Sequence, residues 1–150
     1  MNAKANPFMA LALAEAQAAA QRGEVPVGAV IVRDGEVVAR AGNRVVAERD
    51  PTAHAELLAI RAACQVLLSE RLAGCDLYVT LEPCPMCAAA ISFARIARLY
   101  YGADDPKGGG VAHGPRVFAH PTCHHKPELY PGIGEARAAK LLRDFFHSRR

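Results

Sequence analysis

Asp76–Gly102 reads DLYVTLEPCPMCAAAISFARIARLYYG, and this stretch decides the fold. Asp76–Leu81 is a β-rich run, Cys84–Ala94 has the length and composition of a helix, and Arg98–Gly102 is again β-rich. Strand, helix and strand in that order imply a parallel pair joined by a right-handed crossover. Upstream, Val25–Arg33 and Val37–Ala41 flank Asp34-Gly35, a hairpin signal, and Gly42-Asn43 opens a loop to Asp50-Pro51. Pro7–Arg22 reads as a helix with Asn6 as N-cap and Gly23 just past its end. A further helix starts at Thr52, with Leu57, Ile60, Cys64 and Leu67 on its apolar face, and ends before Gly74.

Downstream, Asp104–Cys123 is Gly-rich and aperiodic and reads as a long surface loop. Lys126–Tyr130 fits a short last strand, which Pro127 and Pro131 confine to an edge. Ile133–His147 reads as a final helix with Ala138, Leu141, Leu142, Phe145 and Phe146 on its inner face. An antiparallel hairpin followed by parallel strands, with helices on both faces, predicts a three-layer α/β/α sandwich.

The 150 residues suit one domain spanning 1–150. Apolar types make up 51% and charged types 22%, which excludes a disordered charged chain. The uncharged stretches fall short of the ~18 apolar residues that a membrane helix needs. Glu15 and Gln17 interrupt the apolar N-terminal run, so an amphipathic helix and a cytoplasmic location are expected rather than a signal peptide. The formal net charge is +3, and Lys126, Arg137, Lys140, Arg143, Arg149 and Arg150 against Glu128, Glu135 and Asp144 place the whole excess in the last segment. Such a face suits a polyanion, and an ordinary solvated helix face accounts for it equally.

Two fragments carry chemistry: His54-Ala55-Glu56 and Pro83-Cys84-Pro85-Met86-Cys87. Cys84 and Cys87, three apart at a helix start, lie one turn up on one face, where two thiolates can close on one cation. Zinc accepts sulfur and nitrogen in a tetrahedral array, and His54 can supply a third ligand. Three protein ligands leave the fourth position for water, whose pKa zinc lowers from ~15.7 towards ~7. Glu56 then sits within reach of that water and can move its proton, a task that a purely structural site has no use for. The competing reading is a closed structural site with Cys64, Cys75 or Cys123 as fourth ligand, or a redox Cys-x-x-Cys pair.

On Glu24–Ile31 (EVPVGAVI), Asp50–Glu56 (DPTAHAE), Leu77–Cys87 (LYVTLEPCPMC), Arg95–Ala103 (RIARLYYGA), Asp104–Gly108 (DDPKG) and Gly132–Arg150, the chain resembles the zinc-dependent cytidine deaminase superfamily. Within it, the chain is similar to the bacterial tRNA adenosine deaminase branch, which converts the wobble adenosine of an anticodon to inosine. The resemblance implies the cytidine-deaminase-like fold with a mixed five-stranded sheet, one Zn2+ per subunit on His54, Cys84 and Cys87, and Glu56 as proton shuttle. It implies a homodimer, for which Met86, Ile91 and Phe93 are apolar interface candidates that core packing explains as well.

By position, the resemblance assigns Asn43 to the flipped nucleotide and Val27 and Ala55 to the base pocket. It assigns Asp105, Lys107, Phe145, Arg149 and Arg150 to the RNA. Turn chemistry accounts equally for Asn43, a solvated loop for Lys107, and core packing for Phe145. The chain departs from the family pattern in Gly109–His125 (GGVAHGPRVFAHPTCHH), where Cys123-His124-His125 replaces an Asn-His pair. That leaves the chemistry alone and opens the choice of substrate: the tRNA anticodon loop, or free nucleobases and nucleosides such as guanine, cytosine or adenosine.

Overall fold

A computed structural model describes residues 6–149. Helix α1 (Pro7–Gln21) is capped by the Asn6 carboxamide, which accepts from the backbone N–H groups of Phe8 and Met9. Strands β1 (Gly28–Arg33) and β2 (Glu36–Gly42) form the expected hairpin around Asp34-Gly35, both in the left-handed region. Then follow α2 (Ala55–Leu67), β3 (Cys75–Leu81), α3 (Pro85–Ala94), β4 (Arg98–Ala103), a 3₁₀ turn at Val117–Ala119, β5 (Glu128–Tyr130) and α4 (Glu135–His147). The sheet order is β2-β1-β3-β4-β5, with β1 antiparallel to β2 and β3, and β3, β4 and β5 mutually parallel.

This mixed five-stranded sheet carries α1 and α4 on one face and α2 and α3 on the other. Ile31, Leu77, Val79 and Leu99 pack under α2 and α3 with Ala59, Ala63, Ala88 and Ile91. Val30, Val32 and Tyr78 pack under α1 and α4 with Met9, Leu13 and Ala138. Alternate residues of one strand thus feed opposite cores, as a doubly covered sheet requires. Tyr78, Tyr100 and Tyr130 stack across three neighbouring strands at centroid separations of 4.3 and 4.7 Å.

Element boundaries shift from the expected ones where a specific group competes for the backbone. The first strand begins at Gly28 rather than Val25, because Pro26 has no N–H to give an interior strand. The second helix begins at Ala55 rather than Thr52: the Asp50 carboxylate accepts from both the N–H and the hydroxyl of Thr52 and holds it in a turn. It ends at Leu67 because Leu68 is left-handed. Of the three proposed interface side chains, Ile91 is fully buried, Met86 is half-buried and only Phe93 is open, at 74% exposure.

Helix α1 lies so close to β1 that a Cβ on Gly28 would sit 2.0 Å from the Ala12 carbonyl oxygen and 2.6 Å from the Ala16 nitrogen. The Gly28 N–H also donates to the buried Thr80 hydroxyl. Gly28→Ala is therefore expected to force helix and sheet apart, at about 3 kcal/mol and a fall in Tm of roughly 10 °C by thermal denaturation.

Candidate active site

His54 and Cys84 occupy the N-cap positions of α2 and α3, and Cys87 lies in the first turn of α3. Two helix N-termini thus converge on one point, where their dipoles favour negative charge. The His54 Nδ1 is 3.6 Å from Cys84 Sγ and 3.6 Å from Cys87 Sγ, and the three ligand atoms lie within 4.8 Å of one another. Zn–N and Zn–S bonds of ordinary length at a tetrahedral angle separate nitrogen from sulfur by about 3.6 Å, so the residues fit the ion.

The donor chemistry agrees. A hydrogen bond from the Cys87 thiol, followed by those from His54 and the Cys87 N–H, pulls the Cys84 thiol down to about 4 against its burial. The same bond to Cys84, then burial, pushes the Cys87 thiol upward. Both sulfurs ionise together only when a cation joins them. Among the described residues, Cys64, Cys75 and Cys123 stand outside this group, so the three ligands do not close into a four-ligand protein site.

Glu56, in the first turn of α2, is 4% exposed. Burial raises its carboxyl to about 7; the Cys84 charge adds to this, while backbone hydrogen bonding and His54 oppose it. Glu56 lines a cleft of about 480 Å³ together with Val27, Asn43, His54, Cys84 and Asp105. The Asn43 Oδ1 accepts from the Ala55 N–H at 2.8 Å, its backbone N–H donates to the Val27 carbonyl, and its carbonyl accepts from the Arg22 guanidinium. Its remaining side-chain nitrogen meets no protein acceptor among the described residues. Ala55 is fully buried and contributes its backbone N–H rather than a cleft surface.

Two buried carboxylates that the sequence reading left without a role brace the cleft walls. Glu24, 2% exposed, accepts from the N–H groups of Val46 and Ala47 and so holds the loop after β2. Glu82, 1% exposed, accepts from the backbone N–H groups of Asp105, Val111, Ala112 and His113 and contacts the His113 ring at 2.7 Å. Burial alone would raise the Glu82 carboxyl, and these donors together hold it below the usual range. Only the sequence oddity of an acid between an apolar strand and a proline could have flagged Glu82.

The remaining expected contacts separate. Asp105 and Gly108 line the cleft, whereas Lys107 between them points to solvent. Phe145 is 9% exposed and packed beneath the Arg149 guanidinium, 4.3 Å from its ring centroid; the open ring of the pair is Phe146. Arg149 lies beside Gly23, another cleft residue, and Arg150 lies outside the described residues. Three histidines of the divergent loop each have a partner of their own. His113 meets Glu82, His120 meets the Pro115 carbonyl and His125 the Ile96 carbonyl at 2.6 Å, while the Cys123 thiol donates to the His125 carbonyl. They do not assemble a second metal group among the described residues.

Residues 2–103 match the family model described as the cytidine and deoxycytidylate deaminase zinc-binding region. The chain belongs to the cytidine and deoxycytidylate deaminase family. This deaminase is 62% identical over 143 residues to a tRNA-specific adenosine deaminase of Agrobacterium fabrum, covering 95% of this chain and 94% of that one. It is 48% identical to a tRNA-specific adenosine deaminase of Aquifex aeolicus over 93% and 91% of the two chains. A solved structure from a study of A-to-I editing by tRNA:A34 deaminases at the wobble position of transfer RNA superimposes with a TM-score of 0.89. That structure is 63% identical and covers 90% of this chain and 98% of its own. The α/β/α fold expected from the sequence is thus shared with a solved deaminase. No helix of the described residues is long and apolar enough to cross a membrane.

Proposed function

We propose that this deaminase converts adenosine to inosine at the wobble position of a tRNA anticodon, with one zinc ion per subunit on His54, Cys84 and Cys87. The observation that carries this reading is that His54, Cys84 and the buried Glu56 line one cleft, with Cys87 completing the three-residue group. Zinc bound there supplies a water-derived nucleophile at neutral pH. Glu56 takes the proton from the attacking water, delivers one to the ring nitrogen beside the amine-bearing carbon, and assists the departure of ammonia. The Asn43 carboxamide, oriented by the Ala55 N–H, turns its free nitrogen towards the nucleotide, and Val27 forms an apolar wall for the base.

A base must leave its stack to enter such a cleft, and a loop nucleotide is cheaper to extract than a paired one. In this reading Asp105 on the rim, the exposed Lys107 beside it and Arg149 near Gly23 meet the RNA. Phe145 supports Arg149 from below, and Arg150 extends the same positive segment. The chain acts as a single deaminase domain in the cytoplasm, and it pairs with a second copy through the α3 side, where Phe93 is open.

The deciding experiment offers the zinc-loaded protein an anticodon stem-loop with a wobble adenosine, and guanine, cytosine and adenosine separately, and follows inosine and ammonia. Inosine in the stem-loop at rates at least 100-fold above those with the free compounds is the expected result. Turnover of a free base with an inert stem-loop would establish the alternative, a nucleobase deaminase on the same fold.

A further inference from the structure

The segment Asp105–His113 contributes Asp105 and Gly108 to the cleft wall, yet it has neither helix nor strand to hold it. Its backbone polar groups instead gather on a single side chain. Glu82 Oε1 accepts from the Asp105 N–H at 3.0 Å and contacts the His113 ring. Glu82 Oε2 accepts from Val111, Ala112 and His113 at 3.1, 3.0 and 3.1 Å. The two oxygens therefore tie both ends of the segment to one point. Charge-assisted bonds to backbone N–H groups in a buried place are the strong kind.

The same carboxylate stands two residues before Cys84, at the exit of β3. Gly110 donates to the Pro83 carbonyl, and a Cβ on Gly110 would lie 2.6 Å from Pro85 Cα. The wall is thus pressed onto the turn that carries the sulfurs. Gly109 permits this approach: a Cβ there would sit 2.3 Å from Glu82 Oε2. At the Asp105 end of the segment, the Asp105 carboxylate accepts from the Gly108 N–H, and both residues face the cleft.

We propose that Glu82 is a positioning residue that sets the Asp105–Gly108 wall against the metal-bearing turn and thereby determines how tightly the nucleotide substrate is held. This rests on the deaminase reading above. Glu82 spends its hydrogen bonds on the wall and none on His54, Glu56, Cys84 or Cys87, so its influence belongs in substrate binding. Glu82→Gln keeps the shape but replaces one accepting oxygen by an NH2 group, which must face N–H donors. Gly109→Ala disturbs the same contact from the other side and leaves the carboxylate intact.

The experiment measures steady-state kinetics on the anticodon stem-loop for the zinc-loaded wild type, each single variant and the double variant, with zinc content alongside. The expected result is a KM raised at least roughly tenfold in each single variant, with kcat changed less than about threefold and zinc retained. The double variant should be no worse than the poorer single one, because both remove one interaction. A fall in kcat at unchanged KM, a loss of zinc, or fully multiplicative effects would overturn the inference while leaving the deaminase reading intact. A wild type inert on the stem-loop would overturn both, and that result is read before any variant is compared.

Discussion

Glu56→Gln is expected to reduce kcat by at least a hundredfold while zinc content and Tm stay close to those of the wild type. General acid–base groups contribute about 10²–10⁴ to rate, and Glu56 is a buried carboxyl that lines the cleft beside His54 and Cys84. Glutamine occupies the same volume in the first turn of α2, so the buried site neither collapses nor opens. It lacks only a carboxyl that can take up and release a proton near neutral pH. The measurement pairs single-turnover inosine formation with metal analysis on the same preparation. A variant that keeps wild-type turnover would remove Glu56 from the chemistry and revive a zinc-stabilised binding module as the reading.

Cys84→Ser is expected to cost metal and stability together. Cys84 is both the N-cap of α3, accepting the Cys87 N–H at 3.5 Å, and a neighbour of the His54 ring. Serine restores the cap but is a poor zinc ligand, so the loss isolates the metal contribution. Ligand linkage at a thousandfold excess over Kd amounts to about 4 kcal/mol, which for a chain of this size is a Tm fall of roughly 10 °C or more. The check is a chelator titration followed by differential scanning calorimetry. The wild type should fall to the level of the variant as zinc is removed, and the variant should not respond. Stoichiometric zinc in Cys84→Ser would show that His54 and Cys87 suffice without it.

The sequence was most informative where residue type and short spacing act together. A strand, a helix and a strand within Asp76–Gly102 have local periodicity, and the crossover follows from chain chirality. The grouping of His54, Cys84 and Cys87 was legible because few residue types offer zinc nitrogen or sulfur donors and a helix turn sets the separation of the two cysteines. The boundary at Thr52 was not legible, because helix propensity says nothing of an Asp50 carboxylate two residues back. The cleft walls were the least readable. Glu24 and Glu82 act on backbone N–H groups 22 to 31 positions away, and a backbone N–H carries no signature of the residue that owns it. Phe145 illustrates a third limit, since adjacent phenylalanines on a helix look alike until packing buries one and leaves the other open.

The outermost parallel strand, β5, spans only Glu128–Tyr130, and Pro127 and Pro131 bracket it. A fourth parallel neighbour would need a longer run of free amide groups than this fringe offers, and proline supplies none at either end. The molecule is thereby guarded against growing sideways into ribbons or seeding amyloid from that flank. Crowded preparations of the native protein should remain clear of fibrils nucleated there.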